Sequence, residues 1–285
     1  MPNKSIPLEN LTNIQIIHQA ADASWNPNAQ SVSALHVDGD LLTATVFDKS
    51  AGKFVWLRSA ETKGNLQNTE TLQALFPEKP ENLKIFVNSP KTVLIPAAVF
   101  EESAKEDFFK LNHTLEPNEK VEVSYARNIN AYLLFALDSN LERQIRGFQP
   151  KNILHEDVAW LEALFIQHKN NPDTFVHMHV SEKMLWVAAF RDAGLLLYNI
   201  FPAETAEDKL YFAMFVSEQL RINPHKDQYF LSGNIQKHDE TFALFSKYIK
   251  ELKLEKRPEI FQYSLPLQEL PEHLYFKAFC TPVCE

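Results

Sequence analysis

The sequence predicts an α/β protein with mixed sheets, built from two related halves. Three observations carry that prediction. Residues 32–57 read as a three-strand meander, and residues 175–200 repeat it, with His179 following His36 by 143 residues. After each meander come a helix and then a further strand.

Taken in order, residues 1–31 read as a polar leader holding one short apolar stretch at 14–17. Residues 32–37 form an apolar strand, and Asp38-Gly39-Asp40 supplies the turn chemistry after it. Residues 41–47 alternate around Leu42, Ala44 and Val46, as a half-buried strand does. Residues 53–57 follow a turn carrying Gly52. A short helix over 69–75 stops before Pro77, and strands follow at 83–87 and 92–95. Helices are expected at 104–111 and 140–148, with strands at 121–125 and 131–137 between them. The helix 156–168 sets Val158, Leu161, Leu164 and Phe165 on one face and ends before Pro172.

In the second meander, Met178-His179-Val180 falls on Leu35-His36-Val37, Leu185 on Leu42, Val187 on Ala44, Ala189 on Val46 and Phe190 on Phe47. A one-residue gap brings Ala193-Gly194 onto Ala51-Gly52, ahead of a third strand at 195–200. The next helix opens on Thr205-Ala206-Glu207-Asp208, a capping box with Asp208 in place of the usual Glu or Gln. It runs to about residue 220, apolar on most sides, and a strand follows at 229–231. Phe242, Phe245, Ile249 and Leu252 then share the face of one more helix. From Pro271 the tail fits either a helix, with proline in the first turn, or a strand alternating at Leu274, Phe276 and Ala278.

Composition excludes several functions. Apolar residues at 45% and charged residues at 23% suit a globular chain, and a net charge of −9 argues against general affinity for nucleic acid or anionic membranes. No charged start followed by an apolar run marks a signal peptide. No stretch approaches the roughly 18 apolar residues of a membrane helix. The two cysteines, Cys280 and Cys284, rule out a disulfide framework, so a cytoplasmic location is expected. Only 6 glycines occur, and none are adjacent, which leaves little material for loops that close backbone N–H groups around phosphate.

One segment adds a family resemblance. Phe230-Leu231-Ser232-Gly233-Asn234, followed by an amphipathic helix, resembles the adenosine loop of the actin-like ATPase superfamily. Together with the two meanders, it implies two ribonuclease H-like lobes: 32–172, carrying a helical and strand insertion, and 173–285. In texture the chain is most similar to actin-like pilus-assembly and secretion proteins. As a whole it resembles an uncharacterised Bacteroidetes family, domain of unknown function 3822. The resemblance implies a nucleotide cleft drawing on Asp38, Gly39, Ser232, Gly233 and Asn234.

The departures from that pattern point away from ATP hydrolysis. Active members carry Asp-x-Gly in the first hairpin of each lobe. Here the first hairpin reads Val37-Asp38-Gly39-Asp40, and the second reads Val180-Ser181-Glu182-Lys183. The adenosine loop keeps Gly233 but has Asn234 where a second glycine belongs. Phosphoryl transfer needs positioned donors and a metal held by acidic residues, and all three loops are altered.

Other chemistry reads as structural. His177 and His179 point to one face of a strand and could chelate a metal with His36, but His36 belongs to the other half, so these histidines are expected to be structural. Cys280 and Cys284 lack a second ligand pair and are expected to be inert thiols. The acidic neighbours Glu101-Glu102, Glu156-Asp157 and Asp239-Glu240 are expected to cap helices and solvate them.

Three functions follow from these readings. The first is a non-catalytic scaffold or regulatory protein with a protein partner, no catalytic residues and no cofactor. The second is a nucleotide-binding switch that holds ATP and magnesium with little turnover. The third is a metal-dependent hydrolase or transferase built on Asp38, Asp40 and Asp48.

Overall fold

The computed structural model describes residues 14–26, 30–63, 66 and 69–284. The expected leader at 1–13 and 27–29, and Gly64, lie outside the described residues. In chain order the first elements are β1 (Ile14–Ala21), β2 (Ser31–Asp38), β3 (Leu41–Asp48), β4 (Lys53–Thr62), α1 (Thr69–Leu75), β5 (Leu83–Val87) and β6 (Thr92–Pro96). Then come α2 (Lys105–Lys110), β7 (Glu119–Ala126), β8 (Ala131–Asp138), α3 (Ser139–Arg146), β9 (Asn152–His155) and α4 (Glu156–His168). The second meander is β10 (Phe175–Val180), β11 (Met184–Arg191) and β12 (Gly194–Pro202), followed by α5 (Ala206–Gln219), β13 (Gln228–Gly233), α6 (Glu240–Tyr248) and β14 (Glu251–Leu254). The chain closes with β15 (Gln262–Tyr263), α7 (Leu265–Gln268) and α8 (Phe276–Phe279).

These elements form two compact units, Met1–Asn88 with Leu137–Leu154 and Phe261–Glu269, and Ser89–Ala136 with His155–Ile260 and Leu270–Glu285. Both units are discontinuous in sequence, whereas the lobes read from the sequence are continuous stretches.

The first unit holds a sheet in the order β1-β4-β3-β2-β5-β9, with β15 joining β4. β2 pairs antiparallel with β3 and parallel with β5, so the helix-bearing link after β4 returns the chain to the far side of β2. The residues read as leader are in part a strand. Ile14–Ala21 runs antiparallel to β4, with a bulge between Ile16 and His18. The in–out alternation continues through the bulge to Ala20, but Gln15, His18 and Gln19 make the segment read as part of a polar leader. β4 runs on to Thr62 because β1 covers its second half. The sequence hides this behind Arg58 and Ser59, yet Ser59 is buried and accepts from Thr43 Oγ1 at 3.3 Å.

The second unit holds a sheet in the order β12-β11-β10-β13-β14 and a smaller one in the order β6-β8-β7. Its main core joins Val176, Met178, Leu185, Val187, Tyr229 and Leu231 to Ala213, Val216 and Phe245 of α5 and α6. Full burial of one such side chain contributes roughly 1.5–3 kcal/mol. The capping box at α5 forms as read, with Asp208 N–H on Thr205 Oγ1 at 3.0 Å and Thr205 N–H on Asp208 Oδ2 at 3.1 Å.

The two meanders agree in register. His36 faces Thr43 and His179 faces Trp186; a bulge falls between Val46 and Phe47 in one and between Ala189 and Phe190 in the other. The gap between them is two residues, not one. Asp48 pairs with Lys53 across a four-residue loop, whereas Arg191 pairs with Gly194 across only Asp192 and Ala193. Asp192 and Ala193 have φ of 53° and 58°, as a type I′ turn requires at both positions.

Three further expectations change. α4 is buried on every side from Glu156 to Leu164 and not along one face, with Glu156, Asp157, Trp160 and Glu162 as enclosed as its aliphatic residues. α6 ends at Tyr248, and Leu252 belongs to a strand parallel to β13. The tail is helical: Phe276–Phe279 and a 3-10 turn at Thr281–Val283 bury Phe276, Phe279 and Cys280 completely.

Candidate functional site

The residues named from the sequence sit on three loops. In the first unit, Asp38 and Gly39 open the β2–β3 hairpin and are exposed. Asp38 Oδ1 accepts from Asn88 Nδ2 at 2.9 Å. Gly39 has φ +56, and a Cβ there would meet nothing within 4 Å. The glycine therefore serves the backbone of a two-residue turn and lets no other group approach closely.

In the second unit, the β10–β11 turn and the segment after β12 present carbonyls to a lysine of α5. Lys209 Nζ donates to the carbonyl oxygens of Glu182 at 3.1 Å, Ala203 at 2.8 Å and Glu204 at 3.1 Å. Burial draws the Lys209 ammonium below its ordinary pKa, and Asp208, Glu182 and Glu204 oppose that shift. One carbonyl of the turn and two of the β12–α5 link thus gather around a cation supplied by the chain itself.

The loop Ser232-Gly233-Asn234 spends its donors internally. Gly233 N–H goes to His273 O and Asn234 N–H to Val180 O, both at 2.9 Å, while Ser232 Oγ lies 2.9 Å from His179 Nδ1. Gly233 has φ +90, and a Cβ on it would collide with the Val180 carbonyl and come within 2.9 Å of His179 Cε1. What requires glycine here is the neighbouring strand β10.

The acidic trio does not assemble. Asp38 and Asp40 flank one end of β3 and Asp48 the other, roughly 20 Å apart for a strand of that length. Asp48 Oδ1 accepts from Ser50 N–H at 2.9 Å and Ser50 Oγ at 2.6 Å, fastening the β3–β4 loop.

The histidines enter a hydrogen-bonded chain. His177 Nδ1 lies 2.6 Å from Glu255 Oε2, and His177 Nε2 lies 2.7 Å from His168 Nε2. A carboxylate only accepts, so the proton of His177 is on Nδ1 and His168 donates from Nε2. Burial, with His177 beside it, pushes the His168 pKa down to about 3. Among the described residues no group of three or more His, Cys, Asp or Glu side chains is arranged to hold a metal ion. The Cys280 thiol is buried and donates to Phe276 O at 3.2 Å; burial pushes its pKa well up, and Cys284 is half-buried and in no disulfide.

The sequence reading missed a buried ionic cluster. Glu156 and Asp157, read as solvated caps, are both enclosed. Lys277 Nζ lies 3.0 Å from Glu156 Oε1 and 2.6 Å from Asp157 Oδ1. Tyr198 OH donates to Asp157 Oδ2 at 2.5 Å, and the Lys277 ammonium lies over the Trp186 ring at 4.1 Å and the Trp160 ring at 5.3 Å. The capping role falls instead to His155, whose Nδ1 accepts the Asp157 N–H at 3.2 Å. At the first turn of a helix two neighbouring side chains can converge on one long cation, which helix-interior spacing rules do not anticipate. The one sequence signal was a lysine inside the apolar run Tyr275-Phe276-Lys277-Ala278-Phe279.

Comparison with known proteins places this architecture. The family model described as "Protein of unknown function (DUF3822)" matches residues 27–252. A Bacteroides thetaiotaomicron structure, described as a protein with actin-like ATPase fold and unknown function, superposes with a TM-score of 0.69 at 18% identity, covering 79% of this chain and 91% of that one. The PilM–PilN type IV pilus biogenesis complex gives 0.61 at 11% identity, covering 91% of this chain and 100% of that one. No curated protein matches the sequence. The fold is that of the actin-like ATPases, with mixed α/β sheets. No helix among the described residues is long and apolar enough to cross a membrane.

Proposed function

This chain belongs to the DUF3822 family, and from that premise we propose that it is a non-catalytic scaffold or regulatory protein of the cytoplasm that binds a protein partner. The observation that carries this reading is the use of loop donors inside the protein. Gly233 and Asn234 give their N–H groups to the carbonyls of His273 and Val180, and in the β10–β11 turn the Glu182 carbonyl accepts from Lys209. A loop that has spent its donors offers little to a phosphate or a nucleoside. The PilM–PilN complex, which has the same fold, is an assembly with another protein and supports the choice of a protein partner. The matching registers of the meanders support descent of the two halves from one duplicated unit.

Thermal unfolding with and without millimolar magnesium–ATP, with ADP, GTP and EDTA controls, tests the loss of nucleotide chemistry. A ligand at a hundred times its Kd stabilises by roughly 2.7 kcal/mol, which moves the midpoint of a chain this size by roughly 5–10 °C. No shift with any nucleotide is expected. Affinity purification from native cells should then return one specific protein; chaperones and abundant contaminants alone would count against the partner.

The exposed Asp38-Gly39 hairpin, open around Gly39, favours a second reading as a nucleotide-binding switch. A shift of that size specific to one nucleotide would promote it over the scaffold.

A further inference from the structure

The second unit contains a cavity of about 830 Å³, within the range of small-molecule sites. It lies beside β14 and the segment that extends it to Ile260, closed by the last turns of α4 and the start of α6. Neighbouring strands place His177, Phe230 and Lys253 in one row, because His177 pairs with Phe230 and Phe230 with Lys253. Phe230 lines the cavity, and its ring stacks on that of His177, with centroids 4.8 Å apart and planes 9° from parallel. Ile166, Phe242 and Leu254 continue the apolar wall.

The polar groups of the lining divide into two sets. Glu255 and Arg257 are buried and already engaged: Glu255 Oε2 with His177 Nδ1 at 2.6 Å, and Arg257 with Leu270 O at 2.8 Å and Glu272 Oε1 at 3.5 Å. Lys237 and Lys256 are exposed at the rim, and among the described residues neither has a hydrogen-bond or ion-pair partner. Four cationic side chains against three carboxylates line a cavity in a chain whose net charge is −9. With two of those carboxylates held by His177 and Arg257, the unspent charge is positive and sits beside an apolar wall. Asp38, Gly39, Ser232, Gly233 and Asn234 are not among the residues that line it.

We propose that this cavity binds a small amphiphilic anion, its aromatic or aliphatic body against Ile166, Phe230 and Phe242 and its acid group held by Lys237 and Lys256. An apolar wall takes the body by excluding water from it, and two lysines with no competing partner take the charge. Such a site gives a scaffold a way to sense a metabolite.

The test is fluorescence titration of the full chain with 8-anilinonaphthalene-1-sulfonate, an aromatic sulfonate. Saturable binding at one site per chain is expected, displaced by an aromatic or an aliphatic carboxylate according to the natural body. Reversing both rim charges, Lys237→Glu with Lys256→Glu, should weaken it about tenfold, while Lys105→Glu with Lys110→Glu on α2 should not. Ile166→Trp, which fills the cavity, should abolish binding with the unfolding midpoint preserved; the rim variant decides the matter if that substitution fails to fold. A signal that does not saturate, or an affinity indifferent to the rim lysines, overturns the proposal.

Discussion

Lys277 Nζ lies 2.6 Å from Asp157 Oδ1, with both side chains almost fully shielded from water. Burial alone would lower the lysine's pKa, but the charges of Asp157 and then Glu156 outweigh it and hold Lys277 above its ordinary value. The same setting pushes the Tyr198 hydroxyl well up, through burial and the Asp157 charge, and keeps it a donor. This cluster fastens the C-terminal segment to the start of α4, 121 residues away from Lys277 at Glu156.

Replacing Lys277 by methionine should therefore cost about 3–5 kcal/mol, because two buried carboxylates lose their cation. Urea unfolding of the variant measures it. Adding Glu156→Gln and Asp157→Asn should recover part of the loss; a loss below about 1 kcal/mol in the single variant would mean that the cluster is not coupled to folding.

Acid should weaken the protein early. Burial lowers the pKa of His155, His168, His179 and His273, that of His168 to about 3. A histidine depressed in the folded state is neutral there while the unfolded chain takes up protons below about pH 6.5. Stability is thus complete above pH 6.5 and falls as pH drops toward 3, by up to about 1.4 kcal/mol per pH unit for each such histidine. Unfolding midpoints at pH 7.5, 6.0 and 5.0 lie above the carboxylate range and isolate the effect. A flat profile across them would sink it.

The two loop glycines should behave differently. Gly39→Ala places a Cβ in open space at φ +56 and should cost about 1 kcal/mol. Gly233→Ala drives a Cβ into the Val180 carbonyl at φ +90 and should cost distinctly more, roughly 2–3 kcal/mol. Equal unfolding midpoints for the two variants would contradict this packing. Any Gly233 substitution consequently reports on folding before it reports on a ligand.

Ala193→Gly should stabilise. Ala193 holds φ 58° in the two-residue turn after β11, where glycine carries no steric penalty. A gain of about 0.5–1 kcal/mol is expected in thermal or urea unfolding, and a loss would show that the turn is not of this type.

By itself the sequence determined most of the strands and helices and the two meanders. Those follow from local rules that operate within a few residues: the apolar runs of β2 and β3, the capping box at Thr205, turn chemistry at Gly39. It did not reveal β1, whose Gln15, His18 and Gln19 read as polar leader until pairing with β4 makes the segment a strand. The tertiary structure decided what charged and polar residues do. Glu156 and Asp157 have the sequence signature of solvated helix caps and became a buried site for Lys277, since no local pattern records a partner more than a hundred residues away. His177 similarly found Glu255, and Gly233 found the carbonyl of Val180. Apolar periodicity is written along the chain, whereas the pairing of buried charges and spent donors exists only once distant segments are packed together.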